Sequence, residues 1–119
     1  MPLLFLAAAV AVVIVLKRTG QIPAKEALDL LRHGALVIDV RSPAEFNSGH
    51  LAEAINLPLG EVATALPARV KNKNQVLLLH CASGMRSGLA QKQLRRLGYV
   101  NVFNLGSYGR AESILRQPH

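Results

Sequence analysis

Val76-Leu77-Leu78-Leu79-His80-Cys81-Ala82-Ser83-Gly84-Met85-Arg86-Ser87-Gly88-Leu89-Ala90-Gln91 is the stretch on which the fold turns. Its first half is a short apolar run bounded by polar residues, the pattern of a strand covered on both faces. Its second half is small and glycine-containing and passes into a helical sequence. Between them stands Cys81, the only cysteine of the chain. A thiol at the start of a helix lies among unpaired backbone N–H groups, where negative charge is favoured. Such a sulfur ionises more easily than an ordinary cysteine, and the thiolate is the nucleophile. A free cysteine is equally at home as a small buried hydrophobe; the electropositive address favours the reactive role.

Outward from this stretch, strand and helix patterns alternate. Pro23 opens a helix over residues 24–32 that Gly34 closes. Residues 35–40 read as a buried strand. Ser42-Pro43-Ala44-Glu45 has the form of a capping box, and Asn47-Ser48-Gly49 stops the short helix it begins. Residues 54–57 form another strand and residues 60–68 a helix. After the Asn72-Lys73-Asn74 turn and the Val76 strand, a helix runs from about Ser87 to Leu97. Residues 100–105 make the last strand, 106–109 a loop, and 110–116 a final helical turn or two. Alternation of this kind predicts an α/β fold, a central parallel sheet flanked by helices. Ligands of such sheets bind beyond the carboxyl ends of the strands. Cys81 and Asp39-Val40-Arg41 both stand at strand ends and can share one crevice.

The amino terminus is of another character. Residues 2–16 hold no charged or strongly polar side chain, and Lys17-Arg18 ends the run. As a helix it covers ~22 Å against a hydrocarbon core of roughly 30 Å, a short span that snorkelling of the two basic residues helps to seat. The expected division is a transmembrane anchor over 1–18, a linker over 19–21 and the globular domain over 22–119. A cleaved signal is the rival, but no basic residue precedes the apolar core and Val15-Leu16-Lys17-Arg18 is a poor cleavage site. The basic flank places the domain on the cytoplasmic side of the inner membrane, with a periplasmic location as the alternative after cleavage. The net charge is +7, with clusters at Arg69, Lys71, Lys73 and at Lys92, Arg95, Arg96. With aromatic residues at 4% and no recognition motif, these favour a membrane surface or small anions over nucleic acid.

Residues 22–115 resemble the single-domain rhodaneses, a family of sulfurtransferases. Val37-Ile38-Asp39-Val40-Arg41, Glu45-Phe46, Gly49-His50-Leu51 and Ala54-Ile55-Asn56-Leu57-Pro58 resemble the family's first signature in order and spacing. Cys81 to Arg86 resembles its active-site loop, and Asn101-Val102-Phe103-Asn104-Leu105-Gly106 its closing strand. The resemblance implies a rhodanese-like three-layer fold and a two-step reaction without metal or organic cofactor. The Cys81 thiolate takes the outer sulfur of a small anion such as thiosulfate, and a thiol, a protein sulfur acceptor or cyanide removes it. Backbone N–H groups of Ala82, Ser83, Gly84, Met85 and Arg86 can form a nest around the persulfide, while Arg86 offers a fork for a sulfonate. Asp39 and Arg41 are expected as support, Asp39 orienting the loop backbone and Arg41 pairing with Glu45. His50 is expected in a structural role. His80 should point away from Cys81, and no His/Cys grouping has metal-ligand spacing.

The sequence departs from the family in two places. The second loop position, often Arg, is Ala82, and the paired glycines and tryptophan after the closing strand are replaced by Gly106-Ser107-Tyr108. Two other readings stand beside the enzyme: a binding module that senses redox state or sulfide through Cys81, and a cysteine phosphatase. The second is disfavoured by Cys-x4-Arg, one residue shorter than the phosphatase loop, and by a loop without an acid to protonate a leaving group.

Overall fold

The computed structural model describes residues 20–119. The expected anchor at 1–18 lies outside the described residues, as does Thr19. Among the described residues no helix is long and apolar enough to cross a membrane.

The chain runs α1 (Ala24–Arg32), β1 (Leu36–Asp39), α2 (Pro43–Ser48), β2 (Ala54–Asn56), α3 (Leu59–Arg69), β3 (Leu77–Cys81), α4 (Met85–Arg96), β4 (Val102–Ser107) and α5 (Tyr108–Leu115). The four strands form one sheet in the order β2-β1-β3-β4, and every neighbouring pair is parallel. Period-two alternation divides the apolar side chains between the two faces. Ile38, Leu77, Leu79 and Cys81 pack with Val62 and Leu66 of α3 and with Ala90 and Leu94 of α4. Val37 and Leu78 pack on the other side with Ala27 of α1 and with Ala111, Ile114 and Leu115 of α5. Leu77, Leu78 and Leu79 are wholly buried, and each contributes ~1.5–3 kcal/mol by leaving water. β3 is therefore the axis of the molecule, and Cys81 is fixed at its end.

Local signals explain the boundaries. Ser42 Oγ accepts from the Glu45 N–H at 3.2 Å while Glu45 Oε1 accepts from the Ser42 N–H at 3.1 Å, the reciprocal capping box expected for α2. The helix after the loop starts two residues earlier than its sequence pattern indicates, at Met85, with Gly84 as its N-cap. Residues 106–109 are not a loop. β4 continues to Ser107, which pairs with Cys81, and the Ser107 hydroxyl then caps α5 by accepting from the Arg110 N–H at 3.1 Å. Cys81 itself is the last strand residue rather than the first of the loop.

Strand order reverses direction between β1 and β3, the adjacent central strands. Their carboxyl ends carry Asp39 and Cys81, at the kind of switch point where open parallel sheets place their ligands. The register between β3 and β4 shifts between Leu79 and His80, a bulge that adjusts the last residues of β4 beside the Cys81 loop.

Candidate active site

Cys81 ends a strand whose backbone is held on both sides, so its position is set by the sheet. The loop 82–84 then turns back over the sulfur. The Gly84 N–H donates to Cys81 Sγ at 3.0 Å. Gly84 adopts φ +96°, and a Cβ there would stand 3.2 Å from Gly106 Cα, so both conformation and space call for glycine. Ser83 is bridged to Ser107, which ties the loop to the end of β4.

A second support comes from below. Ser87 Oγ lies 2.7 Å from Asn104 Oδ1, 3.1 Å from the Gly84 carbonyl and 3.5 Å from Cys81 Sγ. Asn104 donates from Nδ2 to the Gly84 carbonyl at 3.0 Å and accepts from the Gly106 N–H at 2.8 Å. Ser87 and Asn104 are both buried, so this network fixes the loop where water cannot compete. Burial opposes ionisation of the thiol. The Ser87 hydroxyl and the backbone N–H groups of Ser87, Gly84 and Ser83 outweigh it and hold Cys81 below its ordinary pKa. Cys81 is wholly covered, whereas Ala82 and Ser83, which follow it in the loop, are exposed. The arrangement can hold a sulfur anion in a ring of donors.

Arg86 leaves the first turn of α4 and forms a two-pronged pair with Glu45, Nη1 to Oε1 at 2.6 Å and Nη2 to Oε2 at 2.9 Å. Donation from Arg86, then from the Ser42 backbone, lowers the Glu45 carboxyl to about 2. This corrects the expected pairing of Arg41 with Glu45. Arg41 turns instead to Asp39, donating from Nε at 3.0 Å and from Nη2 at 2.8 Å, and also to the Gly49 carbonyl at 2.8 Å. The Asp39 carboxylate accepts the Arg41 backbone N–H as well, at 2.9 Å. It is therefore occupied by Arg41 and, among the described residues, holds no N–H of the Cys81 loop. The alternation of β1 explains this: Ile38 and Val40 share the face of Cys81, and Asp39 faces the other way.

That other face carries a polar cluster of its own. Arg41 lies over the Tyr108 ring, 4.6 Å from its centroid. His80 stands edge-on to Tyr108 and 3.8 Å from Asp39 Oδ2. Its ring is buried, and neither nitrogen has a hydrogen-bond partner among the described residues. Burial holds it below its ordinary pKa, only partly offset by Asp39. His50 is exposed, stacked on Phe46 at 3.8 Å and bonded through Nδ1 to the Phe46 carbonyl at 2.8 Å. Among the described residues no group of three His, Cys, Asp or Glu is placed to hold a metal.

Sequence reasoning missed Ser87, Asn104 and the use of Glu45 as the partner of Arg86. The signal for Asn104 was an amide in an otherwise apolar strand. For Ser87 it was a hydroxyl one residue past the arginine, on the helical turn that faces the sulfur.

The parallel sheet flanked by helices agrees with the comparisons. The rhodanese-like domain model matches residues 23–109. The chain belongs to the rhodanese-like domain family. It is 39% identical over 69 residues to the thiosulfate sulfurtransferase PspE of Escherichia coli K12, covering 58% of this chain and 66% of PspE. It is 32% identical over 69 residues to the putative sulfur carrier protein YrkF of Bacillus subtilis, covering 58% of this chain and 36% of YrkF. The chain thus spans less than two thirds of the length of these curated relatives. Among solved structures, a rhodanese with anions from E. coli is 35% identical with a TM-score of 0.62, over 65% of this chain and 91% of that one. The human single-domain sulfurtransferase TSTD1 is 26% identical with a TM-score of 0.67, over 82% of this chain and 97% of that one.

Proposed function

We propose that this rhodanese-like domain is a sulfurtransferase that carries sulfane sulfur as a Cys81 persulfide. The observation that carries the reading is the pair of donors on Sγ, the Gly84 N–H at 3.0 Å and the Ser87 hydroxyl at 3.5 Å. In the first half-reaction the Cys81 thiolate attacks the outer sulfur of a donor such as thiosulfate. The donor's S–S bond breaks, and sulfite leaves with the bonding electron pair. In the second, a thiol or cyanide attacks the outer sulfur of the persulfide and Cys81 leaves as thiolate. The chain's part is to stabilise the sulfur anion in both steps and to hold the loop in register. Arg86 serves the donor's sulfonate only with the N–H groups that Glu45 leaves open. Glu45, ionised at neutral pH, cannot protonate an alkoxide, which argues against a phosphatase.

The apolar run 2–16 with Lys17-Arg18 supports a membrane tether for this domain, on the cytoplasmic side by the distribution of basic residues. The test of the enzymatic reading is steady-state transfer from thiosulfate to cyanide by the full chain. Parallel double-reciprocal lines are expected, with no turnover in Cys81→Ser. Intersecting lines would deny the persulfide route. Persulfide formation without turnover on any thiol or cyanide would favour a sensor of sulfide.

A further inference from the structure

The loop that follows Cys81 carries little to attract a small anion. Residues 82–85 are uncharged, and the one cation of the loop, Arg86, is neutralised by Glu45 through two bonds. What the start of α4 does present is apolar. Met85, the first residue of α4, is 76% exposed, and Leu89, one turn on, is 51% exposed. They lie on the helix face opposite Ser87, Ala90 and Leu94, which are buried. The same outer stripe continues at helical spacing to Lys92 and Arg96, both exposed. α4 contains no acidic residue, and no ion pair holds Lys92 or Arg96 among the described residues. Over about 16 Å of helix the stripe passes from apolar beside the nucleophile to basic at the far end.

We propose that this stripe is the docking surface for the sulfur acceptor, and that the acceptor is an acidic protein whose cysteine lies beside apolar side chains. The inference rests on the persulfide reading above and adds the identity class of the second substrate. Met85 and Leu89 give the partner an apolar seat next to the loop, while Lys92 and Arg96 steer its carboxylates and set its orientation. The partner's thiolate attacks the outer sulfur of the protonated Cys81 persulfide. The S–S bond of that persulfide breaks, Cys81 leaves as thiolate, and the partner keeps the sulfur and its hydrogen as a new persulfide. Proton count and oxidation level balance without a further reactant.

The test uses the full chain, loaded with sulfur, and two peptides. Each has one cysteine flanked by leucines, with glutamates beyond them in one and lysines in the other. Persulfide loading is read first by intact mass, and single-turnover transfer rates are then divided by the rate to free cysteine for the same variant. The glutamate peptide is expected to react at least about tenfold faster than the lysine peptide at low salt. High salt should erase the difference, and the Lys92→Glu/Arg96→Glu variant should reverse it. Equal rates for the two peptides, or an unchanged ranking in that variant, overturn the proposal. Equal rates combined with a loss of affinity for phosphatidylglycerol vesicles in that variant would assign the stripe to a lipid surface instead, and overturn it too. If no persulfide forms, the sulfurtransferase reading fails separately. Docking is then judged by chloroacetyl forms of the peptides alkylating Cys81, where the same ranking upholds it and equal rates overturn it.

Discussion

Replacing Gly84 by alanine should damage the fold and the thiol together. At φ +96° a side chain is strained by about 1–3 kcal/mol. Its Cβ would meet Gly106 Cα at 3.2 Å and Gln21 Nε2 at 3.3 Å. Gly106 is backbone held by β4, so relief requires the strand end or the loop to move, at a further ~1–3 kcal/mol. A total of roughly 2–6 kcal/mol corresponds to a fall in Tm of about 8–48 °C at roughly 4–8 °C per kcal/mol. The movement also withdraws the N–H that Gly84 gives to Cys81 Sγ. Thermal unfolding followed by circular dichroism measures the first effect, and the pH dependence of iodoacetamide alkylation measures the second. Gly60→Ala is the control: a Cβ there meets nothing within 4 Å, and the residue lies in α3, so stability should rise by up to ~1 kcal/mol. If Gly84→Ala lowers Tm by less than about 4 °C and leaves the alkylation profile in place, the account of the loop is wrong.

Other expectations concern the groups around the loop. Ser87→Ala removes a donor 3.5 Å from Sγ that also serves Asn104. At about 1 kcal/mol for so long and shared a bond, thiolate reactivity below the titration midpoint should drop roughly fivefold, with the midpoint moved up. Arg86→Gln should return the Glu45 carboxyl from about 2 toward its ordinary 4.5, as read by carboxyl chemical shifts. Because Glu45 is depressed in the folded state, its contribution to stability is complete above its unfolded pKa and is lost as pH falls toward the folded value. Glu45→Gln should therefore flatten the loss of stability in that acid range. His80 acts in the same sense of linkage. Held below its ordinary 6.5 by burial, it leaves the unfolded chain binding more protons as pH falls past that value, so stability declines on acidification. Urea unfolding at pH values on either side should show the decline in the wild type and less of it in His80→Leu; an equal slope in both would absolve His80.

The layers were legible because the sequence alternates apolar runs with helical patterns, and Leu77-Leu78-Leu79, short and bounded by polar residues, fits a strand buried on both faces. Ser42-Pro43-Ala44-Glu45 displayed its cap directly, as local hydrogen bonds do. The loop at Cys81 was legible for the same reason: five consecutive residues contain its turn. Long-range partners were not. Arg41 lies closer in sequence to Glu45 than Arg86 does, yet Arg86 takes it, because β1 alternation sends Asp39 and with it Arg41 to the far face. Ser107 reads as a loop residue until its strand is paired with Cys81, and only that pairing makes it both strand end and helix cap. Asn104 looks like a polar interruption of a strand until the fold brings it under Gly84. The apolar terminus remains an expectation of the sequence alone.

The most direct test of Cys81 as a sulfur carrier is intact mass of the full chain after incubation with thiosulfate and, separately, with a low-molecular-weight persulfide. A gain of one sulfur atom is predicted, removed by thiol treatment and absent in Cys81→Ser. An unchanged mass with both donors, in protein whose Cys81 still reacts with iodoacetamide, would contradict it.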